Sequence, residues 1–164
     1  MQHHVNLFYF RCKKFRFQTV KPTGYFTFLF YIYVSMSEVE TSEDLKCYML
    51  LIAIIFHYHG LDEEEEVILN RKASENGAFE ELNWAYEFIA EDYITAFDRA
   101  RDHLMEMTDK LDKAKRLKYI NDTWIANGEK GYITEMEATA MLKLARDWGV
   151  DKELVQMVQK NSAS

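Results

Sequence analysis

The 164-residue chain has little that interrupts a helix: one proline and six glycines. Sandwiches and barrels built from many short strands need Gly/Pro-rich turns, so that class is disfavoured. Only two cysteines are present, Cys12 and Cys47, in unlike segments and without metal-type spacing. A disulfide scaffold or zinc module is therefore excluded, and the expectation is free thiols in a reducing cytoplasm, with Cys47 as a small core residue. Familiar enzyme signatures are also missing. The chain has no phosphate-cradling glycine loop, nucleophile elbow, HExxH or Cys/His cluster. No Glu-x-x-His occurs, which removes the motif a di-iron bundle requires twice.

Charge is unevenly placed. Residues 1–35 contain Arg11, Lys13, Lys14, Arg16 and Lys21 and no acid, a local charge of +5 against −7 for the whole chain. The remaining residues, 36–164, therefore carry −12. Such a surface repels nucleic-acid phosphates and anionic membranes and favours divalent cations or basic partners.

Residues 1–35 also differ in content, with eleven Phe or Tyr. Their apolar run, Tyr25–Val34, is ten residues long, half of what a membrane-spanning helix requires, and no A-x-A cleavage pattern follows it. The favoured expectation is that translation begins at Met36, the aromatic text being what AT-rich upstream DNA yields when read as protein. If translated, the segment suggests a β-hairpin around Lys21–Gly24 or poor order. The division is thus 1–35, an atypical leader, and 36–164, a helical domain.

From Met36 onward the periodicity is helical. The spacing predicts seven helices: Glu43–Tyr58, Asp62–Asn76, Phe79–Ile89, Asp92–Met107, one from a cap at Thr108 or Asp109 to Ala126, Thr134–Trp148, and Lys152–Lys160 capped by Asp151. The first has a centre, CYMLLIAIIF, that is apolar nearly all round, which predicts burial on most sides. Expected inner stripes include Tyr93, Ala96, Phe97, Ala100 and Leu104 on the fourth helix. On the fifth they include Leu111, Ala114, Leu117, Ile120, Trp124 and Ile125.

One design occurs twice. Asp62–Gly77 reads DEEEEVILNRKASENG and Thr134–Gly149 reads TEMEATAMLKLARDWG. Each opens with a capping residue, places glutamate three positions later (Glu65, Glu137), and closes with glycine. A glutamate there can reach back to an orphan backbone N–H and suits the positive end of the helix dipole. The glycines fall where a helix commonly ends in one left-handed residue.

The chemical candidates follow from these helix starts. Asp62-Glu63-Glu64-Glu65-Glu66 concentrates negative charge at one helix N-terminus. His57 and His59 point about 200° apart if helical and chelate one ion only if the segment is extended. The loops before both units fail as EF-hands. With Gly131 at position 6, positions 1, 3 and 5 are Ala126, Gly128 and Lys130; with Gly60 they are Ile55, His57 and His59.

With this duplication, the chain resembles the TerB-like, tellurite-resistance family of small helical domains over roughly residues 44–155. Units of that family commonly read A-x-A-D-G-x-I/V-S-x-x-E before an apolar helix ending L-G. ANGEKGYITEMEATAMLKLARDWGVD matches at Gly131, Ile133, Thr134, Glu137 and Gly149. IIFHYHGLDEEEEVIL matches at Gly60, Leu61, Asp62 and Glu65. The resemblance implies a single all-α bundle of about seven helices in two related helix-turn-helix halves. It also implies a non-enzymatic, cytoplasmic stress or tellurite-resistance role through a protein partner or a divalent cation.

Metal candidates under that reading are Asp62, Glu65 and Glu137, and last His59; the partner surface is Glu63, Glu64, Glu129 and Glu135. Where the family has aspartate before glycine, this chain has His59 and Lys130, and Lys130 adds positive charge where a cation would sit. That departure moves the expectation toward a scaffold or interaction role. The alternative is a metal-dependent enzyme using His57, His59 and nearby carboxylates. The expected partner has a basic surface; nucleic acid and stable membrane insertion are not expected.

Overall fold

Thr41 starts the described bundle. Its hydroxyl accepts from the Asp44 N–H while the Asp44 carboxylate accepts from the Thr41 N–H, a reciprocal cap that satisfies two orphan donors. Helix α1 follows, Ser42–Phe56. The computed structural model describes residues 40–162, so the readings made for 1–35 and for Met36 lie outside the described residues.

Six more helices follow among the described residues: α2 Glu63–Asn76, α3 Phe79–Glu91, α4 Ala96–Glu106, α5 Lys113–Gly128, α6 Glu135–Asp147 and α7 Asp151–Ser162. No strand occurs among the described residues. None of these helices is long and apolar enough to cross a membrane.

Every residue from Cys47 to Phe56 is buried, as the all-round apolar text predicts. The physical cause is position: α1 packs against α2, α3, α4, α5 and α6, and so has no solvent side in its second half. Burial pushes the Cys47 thiol up to about 12, with the nearby Asp44 adding to the effect, so it is an unreactive thiol. Helix α7 lies against α5 and α6.

Three expectations are corrected. The chain breaks after Glu91: Asp92 is extended (φ −153°, ψ 102°), and its carboxylate accepts from the Ile94 N–H and the Thr95 hydroxyl. Helix α4 therefore starts at Ala96, and Tyr93 is half-exposed instead of facing inward. The fifth helix begins at Lys113, because Asp112, not Thr108 or Asp109, caps it through the Lys115 N–H at 2.7 Å. Ala114 and Ile125 are exposed, so the buried face of α5 runs through Tyr119, Ile120, Thr123, Ala126 and Asn127. Finally, Asp151 is the first residue of α7 and not its cap.

The two sixteen-residue units close in the same way. Gly77 (φ 64°) and Gly149 (φ 65°) are left-handed, which costs glycine little. At the first, Ala78 N–H donates to Ala73 O and Gly77 N–H to Ser74 O. At the second, Val150 N–H donates to Ala145 O and Gly149 N–H to Arg146 O, the same Schellman pattern.

Candidate functional site

Both units also open identically. Asp62 accepts from the Glu65 N–H at 2.8 Å and Thr134 from the Glu137 N–H at 3.2 Å. Each glutamate returns one carboxylate oxygen to its cap. Glu65 Oε2 accepts from the Asp62 N–H, and Glu137 Oε2 accepts from the Thr134 N–H and hydroxyl. Capping thus occupies one oxygen of each carboxylate and leaves the other free to point away from its helix.

The two remaining oxygens converge. Lys130 Nζ lies 2.5 Å from Glu65 Oε1 and 2.5 Å from Glu137 Oε1. Lys130 is brought there by Gly131 (φ 89°), which turns the chain after α5 toward α6. The cluster is enclosed: Glu65 is 1% exposed, Glu137 0% and Lys130 8%. Phe56 and Tyr132 present ring faces to the ammonium, with centroids at 5.7 and 5.0 Å, an arrangement that favours a desolvated cation. His59 Nε2 lies 3.3 Å from Glu137 Oε1 at the rim. His59 and Lys130, each immediately before a turn glycine, therefore both reach the same carboxylate.

Burying charge in this way needs full compensation, because an unpaired ion in a low-dielectric interior is costly. Burial opposes ionisation of Glu137, but the hydrogen bonds from Lys130 and Thr134 outweigh it and hold its carboxyl below the usual range. Burial likewise opposes charge on Lys130, yet Glu137 and Glu65 raise its pKa above the ordinary lysine value.

The lowered Glu137 pKa makes its contribution to stability fully present above the unfolded-state carboxyl pKa of about 4.3. The contribution is lost as pH falls through the depressed folded value. Acid unfolding of the unaltered chain should accordingly show a steeper loss of Tm below about pH 4 than that of Glu137→Gln. Thermal unfolding followed by circular dichroism across that range checks this; parallel curves for the two proteins would sink it.

The metal candidates Asp62, Glu65, Glu137 and His59 are thus near one another, but with an ammonium at the focus. Among the described residues, no group of three or more His, Cys, Asp or Glu is arranged to hold a metal ion. His57 is turned elsewhere: its Nδ1 contacts Ala53 O at 2.8 Å, and its ring packs on Tyr86.

Of the partner-surface candidates, Glu129 is engaged by Arg71 and lies 3.9 Å from Lys72. Glu63, Glu64 and Glu135 are exposed and form no ion pair with a described residue. Because Glu65 and Glu137 share Lys130, the starts of α2 and α6 adjoin.

Sequence reasoning placed Lys130 beside a cation position but not as the bridge between helices. Its only signal was its place before Gly131. A polar contact with no sequence signal is Trp148, whose indole N–H donates to Leu104 O at 2.9 Å.

Over the described residues, fold and site together define an all-α bundle with a buried carboxylate–lysine–carboxylate bridge. No family model matches the chain, and comparison with curated proteins and with solved structures likewise finds no match.

Proposed function

We propose that this chain is a non-enzymatic, TerB-like protein of stress or tellurite-resistance type, built on two related helix-turn-helix halves, that acts in the cytoplasm by binding a protein partner. One observation supports the partner version over the cation version. The inward oxygens of both capping glutamates already contact the Lys130 ammonium, whereas Glu63, Glu64 and Glu135 are exposed and form no ion pair with a described residue. Exposed acids beside a helix N-terminus are tolerated there by the dipole, each stabilising by about 0.3–1 kcal/mol. They are therefore available to a basic surface at little structural cost.

Titration with Ca²⁺, Mn²⁺ and Zn²⁺, read by thermal unfolding, separates the two versions. A ligand bound only by the folded state at 100 times its Kd stabilises by about 2.7 kcal/mol. The expected result is no rise in Tm; a saturable rise with any of these ions would reinstate the cation. The partner version is tested by cross-linking in cells of the source organism, comparing the full chain with a Glu63→Gln/Glu64→Gln/Glu135→Gln variant. Specific adducts are expected for the unaltered chain and lost in the variant. Survival on tellurite should follow the same pattern; equal adducts and equal survival would refute the reading.

A further inference from the structure

A half-open cavity of about 450 Å³ lies between the C-terminal end of α1, the α3–α4 corner and α6. That volume falls in the range of small-molecule sites, roughly 300–1,000 Å³. Its accessible lining is more polar than apolar. The hydrocarbon part comes from Tyr58 and Phe97, packed edge-to-face with centroids 5.0 Å apart, together with the buried Ile54 and Ile89. Tyr93 ties the α3–α4 corner to the end of α1, its hydroxyl donating to His57 O at 2.9 Å.

Three elements each bring one polar side chain with unused capacity to this lining. His57, the C-cap of α1, contacts Ala53 O through Nδ1 at 2.8 Å. A carbonyl only accepts, so Nδ1 donates and Nε2 of the neutral ring is left as an acceptor, with no hydrogen-bond partner among the described residues. Burial lowers the pKa of this imidazole, which favours the neutral ring. Asp98 comes from the first turn of α4 and Lys143 from the middle of α6. Neither forms an ion pair with a described residue, so the two opposite charges lie farther apart than the 4.0 Å of a salt bridge. Arg101, one turn beyond Asp98, is taken up by Asp147, and the Lys143 ammonium lies over the Phe97 ring at 5.9 Å.

Two opposite charges on one cavity, not bridged to each other, discriminate by charge. A simple cation meets repulsion from Lys143 and a simple anion meets it from Asp98, whereas a molecule carrying both charges satisfies both. The His57 acceptor joins Asp98 in receiving N–H donors. The aromatic and aliphatic part of the lining suits a hydrocarbon side chain.

We propose that this cavity binds a small zwitterion, an α-amino acid with an apolar side chain. Its carboxylate meets Lys143, its ammonium meets Asp98 and His57 Nε2, and its side chain rests on Tyr58 and Phe97. The inference does not depend on the partner-binding reading above.

The test titrates the full chain with L-phenylalanine, L-leucine and L-methionine, and with two single-charge analogues, 3-phenylpropionate and phenethylamine. Binding is read by calorimetry and by backbone amide shifts in NMR spectra. L-Phenylalanine should bind saturably and shift the amides of His57, Phe97 and Lys143. It should bind about tenfold more tightly than either analogue, because each analogue lacks one charge-assisted contact. Lys143→Met should weaken L-phenylalanine by about tenfold and leave phenethylamine unchanged. Asp98→Asn should weaken it similarly and leave 3-phenylpropionate unchanged. Tm should hold in both variants, since both side chains are exposed.

No saturable binding of any of the three amino acids at millimolar concentration overturns the proposal. So does equal affinity for the single-charge analogues, or undiminished L-phenylalanine binding in both variants.

Discussion

Lys130→Met is expected to destabilise the protein by about 3–5 kcal/mol, the usual result of removing one partner from a buried ion pair. At roughly 2–4 °C per kcal/mol for a domain of this size, Tm should fall by about 6–20 °C. The cause is electrostatic. Methionine matches the lysine stem in length, so little packing is lost, but Glu65 and Glu137 would face each other in the interior with no cation between them. The chain must then protonate one carboxylate, admit water, or separate the α2 and α6 starts.

A rescue variant separates charge from shape. Adding Glu65→Gln and Glu137→Gln to Lys130→Met removes both unpaired charges while keeping an amide oxygen for each capping N–H. Much of the lost stability should return. Thermal and urea unfolding measure both; a loss under about 1 kcal/mol in Lys130→Met would show that the bridge does not hold the helix starts together.

Trp148→Ala should cost a similar amount, about 3–5 kcal/mol, for a different reason. Trp148 is fully buried, its indole N–H donates to Leu104 O on α4, and its own carbonyl accepts from Arg116 on α5 at 2.7 Å. It is also the C-cap of α6. Truncation empties a large core volume and strips the Leu104 carbonyl of its donor, while the backbone contact to Arg116 can persist. Trp148→Phe separates the parts in large measure, since it retains most of the volume and loses the hydrogen bond, worth about 0.5–1.5 kcal/mol, together with a smaller void. Equal Tm values for Trp148→Ala and the unaltered chain would mean that the α4–α6 junction is not held here.

Local features of the bundle could be read directly where cause and effect are close in sequence. The Asp62 and Thr134 caps, the return of Glu65 and Glu137, and the left-handed glycines 77 and 149 each depend on residues within one helical turn. Burial of Cys47–Phe56 was legible because that stretch is apolar on every face. The errors arose where two local signals competed. Asp92 fits either a helix start or a break, and its bonds to Ile94 and Thr95 settle it as a break, which puts Tyr93 on the surface. Thr108, Asp109 and Asp112 are all competent caps, and Leu111 is buried in the turn that precedes Asp112.

The sequence by itself determined that this chain makes capped helices in a duplicated pattern, because capping chemistry and hydrophobic period act over three or four residues. Only the tertiary structure decided what the duplicated glutamates are for. Glu65 and Lys130 are 65 positions apart, and no short-range rule says that two helix starts will point one oxygen each at the same ammonium. Packing around α1 brings them together, and once they are buried the cost of an uncompensated charge makes the three residues a single unit. The same packing turns the helix break after Glu91 and the first turn of α6 into the walls of one groove.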